Sequence, residues 1–448
     1  MGKFFPLHHL QQVLTYNMYM GKRKKLKKFF VHSLGCPKND TDSEYIVTNL
    51  EQGFDLEFVA DPEKADFVIV NTCGFIKPAI EESIDTIKSY KSVGKKVIVT
   101  GCLLQRGGEK FVNKIEAPGI FLPDIVRFNE ILSGKKFVKG SERSLIEKNI
   151  YSHSHFMPEH FRYIKIADGC NHRCSFCMIP SIKGRYHSKP LENIIAEVKS
   201  LPKSVKEIIL IAQDTTKYGE DLYGKSMLIE LLKRVDEIFD GWIRVMYLYP
   251  SKIIKKVVDL ISSSEHIVPY LDIPFQHVSD RVLKDMKRGY RKKEIIDLLD
   301  YIRSSGKFAV RTTFIVGFPS EKKEDFRELL NFLESYRVER IGVFKYSREK
   351  GSHAFNLGNV NSKIKEKRMV ELMNLFGRIS NEINQEFIGE NIKVLVDGRD
   401  NGEFFGRTIY DAPEIDNLVW LEGRYETGKF YNVRIVNAID FELFGNRV

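Results

Sequence analysis

Over most of this chain, short apolar runs rich in β-branched and aromatic residues alternate with amphipathic stretches of helical period. That alternation is restrictive: strands separated by helices pair in parallel, and a parallel sheet must be covered on both faces. The first runs are Phe29–Leu34, Phe67–Val70 and Lys96–Val99, with helical patterns at Ser43–Leu50 and Pro78–Tyr90. The proline opening the second pattern sits where a helix tolerates it. Six further strands are expected to begin near Tyr163, Glu207, Trp242, Tyr270, Phe308 and Arg340, with helices such as Leu191–Leu201 and Met227–Phe239 between them. Six β/α units are too few to close an eightfold barrel, so the central unit reads as a partial, open (β/α)6 barrel.

The pattern changes near residue 383. Short runs at Ile392–Val396, Asn417–Leu421 and Phe430–Val436 are separated by Gly, Asp and Asn. They read as a small antiparallel β-barrel appended to the α/β body. A chain of 448 residues exceeds what one core organises. The expected division is a basic tail (1–27), an N-terminal parallel α/β sheet domain (28–140), the central domain (155–382) and the C-terminal barrel (383–448). A polar, aperiodic stretch near 139–160 reads as a linker.

The formal net charge of +10 invites a nucleic-acid reading, so its location matters. Lys3, Lys22, Arg23, Lys24, Lys25, Lys27 and Lys28 supply +7 within the first 28 residues, with no acid among them. That run is an RNA arm, a targeting segment or a plain tail, and Met18 or Met20 is an alternative start. From Ile383 to Val448 there are 7 basic and 12 acidic residues, a net of −5. No apolar run reaches the roughly 18 residues of a membrane helix, and no secretory signal stands out. The expectation is a soluble, cytoplasmic protein without a disulfide framework.

Six cysteines fall in two sets of three. Cys170, Cys174 and Cys177 form Cys-x3-Cys-x2-Cys directly after the first central strand, on the barrel face where active sites lie. Three such thiolates bind three irons of a [4Fe–4S] cluster and leave the fourth iron open. An open iron chelates an external ligand, here the amino and carboxylate groups of S-adenosylmethionine. A structural zinc with His172 as fourth ligand, or inert buried thiols, are the other readings, and the spacing departs from usual zinc knuckles. Cys36, Cys73 and Cys102 are distant in sequence, yet each follows a strand. Neighbouring parallel strands end on one edge, so these thiols should converge there and hold a second [4Fe–4S] cluster. Taken singly, each is as well explained as a small buried hydrophobe.

The central motif resembles that of the radical S-adenosylmethionine superfamily. Together with Cys36, Cys73 and Cys102, it is similar to the methylthiotransferases, over nearly everything from Lys28 to Val448. Ser33-Leu-Gly-Cys-Pro-Lys-Asn39 resembles the RimO branch of that family. Leu271-Asp-Ile-Pro-Phe-Gln-His277, Met286-Lys-Arg-Gly289, Thr313-Phe-Ile-Val-Gly-Phe-Pro319 and Asp411-Ala-Pro-Glu-Ile-Asp416 do likewise. Asn39-Asp40-Thr41 and Ser320 depart slightly from the pattern. The resemblance implies two [4Fe–4S] clusters, S-adenosylmethionine and an electron donor. It further implies transfer of a methylthio group to the β-carbon of an aspartate in small-subunit ribosomal protein number twelve. The alternative within the same chemistry is a tRNA adenosine. An unactivated β C–H is too weak an acid for side-chain bases, which is why radical abstraction suits it.

The resemblance also implies cofactor contacts. Phe176, between the last two cysteines, is expected beside the adenine, with simple loop packing as the competing role. Gln213 and Asp214 at the end of the second central strand, Arg311 early in a later strand and Gly317 at that strand's end are further candidates. Each is equally an ordinary strand-end or turn residue. His277 is a candidate substrate contact or a satisfied structural histidine. The C-terminal unit resembles a TRAM domain, often an RNA-binding barrel. Its aromatics (Phe404, Phe405, Tyr410, Trp420, Tyr425) would serve stacking, but its acidity suits a basic protein partner better than RNA. An electron-transfer protein without catalysis is disfavoured, because closed ligation serves that role better.

Overall fold

The computed structural model describes residues 26–140 and 156–448. The basic tail expected at 1–27 and the linker expected near 139–160 lie largely outside the described residues. β1 (Lys27–Ser33), β2 (Leu56–Phe58), β3 (Phe67–Thr72), β4 (Lys96–Gly101), β5 (Gly119–Ile120) and β6 (Phe137–Val138) form one sheet in the order β2-β1-β3-β4-β5-β6. Every pairing in it is parallel. β3 is buried along its whole length, as expected of a central strand covered on both faces. The helix after β1 spans Pro37–Gly53, six residues longer at its start than the apolar pattern indicated. Its first two turns carry Asn39, Asp42 and Ser43 inward, polar residues that hide the helical period.

β7 (Phe161–Lys165), β8 (Ala167–Asp168) and β9 (His187–Ser188) open the central unit, followed by β10 (Glu207–Ile211), β11 (Trp242–Val245), β12 (Tyr270–Asp272), β13 (Ala309–Val316) and β14 (Arg340–Lys345). β7, β10 and β11 pair in parallel, as do β12, β13 and β14. A parallel bridge between Ile243 and Ile267 joins the two sets. The result is a half-barrel of six strands in sequence order. β8 and β9 form a two-stranded ribbon that clasps the base of the Cys170–Cys177 loop.

After the helix Ser362–Gln385 comes a closed barrel of β15 (Asn391–Asp400), β16 (Glu403–Arg407), β17 (Leu418–Glu422), β18 (Phe430–Ile439) and β19 (Glu442–Arg447). Its pairings are antiparallel except for β17 with β19, which closes the barrel in parallel. Its aromatics pack on one another, Phe404 against Tyr425 and Phe405 against Trp420.

The open half-barrel is filled by this C-terminal module. Leu395 and Ala412 pack among Phe161, Ile209, Trp242 and Tyr270 inside it. A buried ionic layer lies alongside. Glu207 pairs with Arg244 (2.7 Å) and Arg407, Arg340 with Asp411 (2.7 Å), and Arg311 with Asp416 (3.3 Å). Tyr270 donates to Asp416 at 2.6 Å. Five strands thus each send one polar side chain to a single loop and its flank. Asp397, Asp411 and Asp416 are consumed in these pairs along with Arg407, so the outward charge of the module is −3 and not the −5 of its sequence.

Candidate active site

Cys36, Cys73 and Cys102 follow β1, β3 and β4, which are neighbours in the sheet. Backbone contacts bring their loops together. A Cβ on Gly35 (φ +106°) would lie 3.0 Å from Cys73 Cβ and Sγ, and one on Gly74 would lie 2.7 Å from the Leu103 backbone. No side chain fits at either place, which explains both glycines. Asn39 laces the loops, donating to the carbonyls of Leu34 (2.6 Å) and Thr72 (3.3 Å) and standing 3.6 Å from Cys102 Sγ. Cys36 is the N-cap of the helix Pro37–Gly53, and Cys102 is the first residue of the helix Cys102–Ile115. The positive end of the second helix therefore favours thiolate character at Cys102. Burial works against it, pushing the Cys102 thiol up to about 12 and Cys73 upward as well. A bound cation resolves that conflict, since a coordinating thiol is deprotonated outright.

The second triad lies in the loop after β8, across from the first. Cys102, Met178 and Ile182 form a small apolar cluster, so the residue after Cys177 touches the other triad's cysteine. Arg288, buried, donates to Cys174 Sγ at 3.2 Å, to the carbonyl of Pro274 at 2.9 Å and to Tyr290 Oη at 2.6 Å. The Ile179 N–H donates to Cys177 Sγ at 3.4 Å. Burial pushes Cys170 to about 11 and Cys177 to about 12. His172, the fourth ligand of the zinc reading, stacks on Tyr249 (4.0 Å) and engages Asp214 through Nε2 at 2.6 Å. Among the described residues no three His, Cys, Asp or Glu side chains are gathered tightly enough to grip a single metal ion. Ligands to separate irons of one cluster need no such gathering.

Between the triads, Lys183 is paired with Asp42 (3.0 Å) and lies 3.9 Å from Asp168, while Lys165 also binds Asp42. Gln213 donates to Asp168 at 2.7 Å, and its Oε1 is buried with no partner among the described residues. Asp214 holds His172 and accepts from the Thr216 backbone, which makes it a brace for the cysteine loop. Arg311 is shared by Asp272 (3.1 Å) and Asp416, at the inner end of the mouth. Phe176 packs with Val282, Met286, Phe318 and Tyr346. Gly317 has φ +71°, and the side chain crowding it belongs to Lys365. His277 is fully buried, with the Ser279 N–H donating to Nδ1 at 3.0 Å.

Sequence reasoning passed over Lys38, Tyr247, Asp272 and Arg288. Three of them stood in stretches already singled out, Ser33–Asn39, Leu271–His277 and Met286–Gly289. Tyr247 had no signal beyond its place after a strand. It is held at φ +61°, with its N–H on Asp272 at 3.0 Å. A bulky residue there is strained, and such strain collects at functional sites.

A parallel half-barrel carrying Cys-x3-Cys-x2-Cys at its C-terminal mouth defines the radical S-adenosylmethionine class of enzyme. The Radical SAM superfamily matches residues 164–333, the Uncharacterized protein family UPF0004 residues 28–122, and the TRAM domain residues 388–448. The Ribosomal protein uS12 methylthiotransferase RimO of Aquifex aeolicus is 43% identical, over 93% of this chain and 96% of its own length. That of Caldanaerobacter subterraneus is 41% identical, over 92% and 98%. Among solved structures, the radical S-adenosylmethionine methyltransferase TsrM from Kitasatospora setae aligns with a TM-score of 0.51 at 15% identity. It covers 72% of this chain and 75% of that one, a likeness of fold alone. The chain belongs to the RimO family of radical S-adenosylmethionine methylthiotransferases.

Proposed function

We propose that this enzyme transfers a methylthio group to the β-carbon of an aspartate in ribosomal protein uS12, in the cytoplasm. The observation that carries the reading is the meeting of two cysteine triads across Cys102, Met178 and Ile182, on the mouth of the half-barrel. Cys170, Cys174 and Cys177 would hold one [4Fe–4S] cluster with S-adenosylmethionine on its open iron, and Cys36, Cys73 and Cys102 a second. When bound, these groups supply one-electron cleavage and a sulfur to deliver, with electrons from an external donor.

The chain's own part is placement. Arg288 puts a positive charge and an N–H donor on Cys174 Sγ. Gln213 Oε1, an unpartnered buried acceptor, suits a donor on the cofactor, and its amide is fixed by Asp168. Arg311 contributes charge from the floor of the mouth, and Phe176 and Gly317 contribute backbone edges. The C-terminal module stoppers the half-barrel from below, which keeps water from a radical formed above.

Anaerobically reconstituted protein, given reductant, sulfide and S-adenosylmethionine, is expected to add a methylthio mass to a uS12 peptide. Modification of tRNA with the peptide untouched would overturn the substrate. Iron analysis is expected to find about eight irons per chain, four at each site. About four would remove the second cluster, and substitution of Cys102 or Cys174 by Ala tells which triad is loaded.

A further inference from the structure

We propose that Lys38 binds the side-chain carboxylate of the substrate residue and so makes the site selective for an aspartyl over an asparaginyl side chain. The inference rests on the reading of the substrate as an aspartate, and it assigns the group that recognises it. Lys38 follows Cys36 by two residues and lies within electrostatic range of Cys36 and Cys102 on one side and Asp168 and Asp272 on the other. It therefore stands at the seam between the two triads. The residue is only partly exposed.

Its neighbours are spoken for. Asp272 is taken by Arg311 and the Tyr247 N–H, and Asp168 by Gln213, the Gly169 N–H and Lys183. Lys165 and Lys183 share Asp42, and Arg288 is spent on Cys174, Pro274 and Tyr290. Among the described residues, the Lys38 ammonium makes no hydrogen bond or ion pair. It rests over the Tyr247 ring, 3.1 Å from the centroid. A ring face steadies a cation without neutralising it, and a partly buried cation left in this way favours an incoming anion. Tyr247 is held in its strained left-handed backbone by Asp272, so the platform beneath Lys38 is built in before substrate arrives.

The chemistry fixes which anion. A β-carbon presented between the triads carries its carboxylate one bond away, so that charge must enter the same seam. The other cations there, Lys183 and Arg311, are engaged by Asp168 and Asp272. Lys38 supplies the missing opposite charge and, being compact, reaches one carboxylate without a fixed fork. A neutral asparagine side chain gains much less from the same ammonium.

The test uses the reconstituted holoenzyme and two fluorescent uS12 peptides differing only by Asp or Asn at the target. Fluorescence anisotropy is expected to show wild type binding the Asp peptide at least tenfold tighter. Lys38→Met is expected to lose that tenfold for the Asp peptide alone, and Lys38→Arg to recover part of it, at equal iron content. Wild type that binds both peptides equally would overturn the assignment without any variant. So would Lys38→Met weakening both peptides alike, or weakening S-adenosylmethionine binding while the Asp preference persists. If wild type binds the Asp peptide selectively but never modifies it, the proposed reaction fails and the assignment of Lys38 stands.

Discussion

At His277 the Ser279 backbone N–H donates to Nδ1, so that nitrogen is bare and the neutral ring carries its proton on Nε2. Nε2 lies 4.0 Å from Glu321 Oε1, with no hydrogen bond between them. Protonating the ring would set two N–H groups against each other, and burial holds its pKa down at about 3. The folded form thus binds this proton more weakly than the unfolded chain. Stability from His277 is full above the ordinary value of 6.5 and is lost as pH falls toward 3. Glu321 acts in the opposite sense: burial raises it to about 7, so its contribution is full below 4.5 and declines as pH rises toward 7. In urea unfolding between about pH 5.5 and 4.5, wild type should lose up to about 1.4 kcal/mol per pH unit relative to His277→Gln. Parallel curves would sink this account. Arg288 offers a second residue-scale expectation. Removing its charge and N–H from Cys174 Sγ in Arg288→Met should make the cluster harder to reduce, seen as a lower midpoint in a redox titration followed by electron paramagnetic resonance. An unchanged midpoint would mean that Cys174 is not a ligand or that the contact is electrically idle.

Elements explain why the triads form. Gly101 ends β4 at φ +89°, and a Cβ there would strike Asn71 Oδ1 and sit 2.6 Å from the Thr72 backbone. Gly101→Ala should therefore cost at least about 2 kcal/mol in thermal unfolding and should displace Cys102, lowering iron at the first triad while the second stays loaded. Full loading at both would show that the edge tolerates the shift. This edge is also where the sequence was most readable. Phe67–Val70 and Val97–Val99 are continuous apolar runs, and a cysteine three residues after each needs only parallel pairing to converge. The short strands Leu56–Phe58, Gly119–Ile120 and Phe137–Val138 were not readable, because two or three residues carry no period. Tyr247, and the role of Lys38 within its singled-out stretch, were hidden for another reason. Their roles depend on one domain meeting another, and no local spacing records that. The ionic floor of the half-barrel escaped for the same cause: Glu207, Arg244 and Arg340 look like solvated charges, and Arg311 like a cofactor contact, until Arg407 and the 411–416 loop come to rest among them.

For the molecule as a whole, that floor joins units that are far apart in sequence. Glu207 is fully buried between Arg244 and Arg407, so Glu207→Gln leaves Arg244 without a counter-charge and Arg407 with Asp397 alone. Breaking such a buried group by removing one partner costs about 3–5 kcal/mol. Chemical denaturation of Glu207→Gln should show that loss in a single transition shared by the half-barrel and the C-terminal barrel. Two separate transitions would mean that the units unfold independently. At the opposite end, Glu349 accepts from the Lys77 N–H (2.6 Å) and Arg106 (2.9 Å), tying the N-terminal sheet to the loop after β14. The ionic floor also bears on how such proteins can be recombined. Exchanging the C-terminal barrel for one without counterparts of Arg407, Asp411 and Asp416 takes the partners from Glu207, Arg340 and Arg311, so a chimera of that kind joined near residue 388 buries unpaired charges under its active site. Graft boundaries chosen by domain alone should give poorly folding hybrids, whereas moving the strand-start residues of β10 to β14 together with the loop should restore them. The unit of exchange is the interlock.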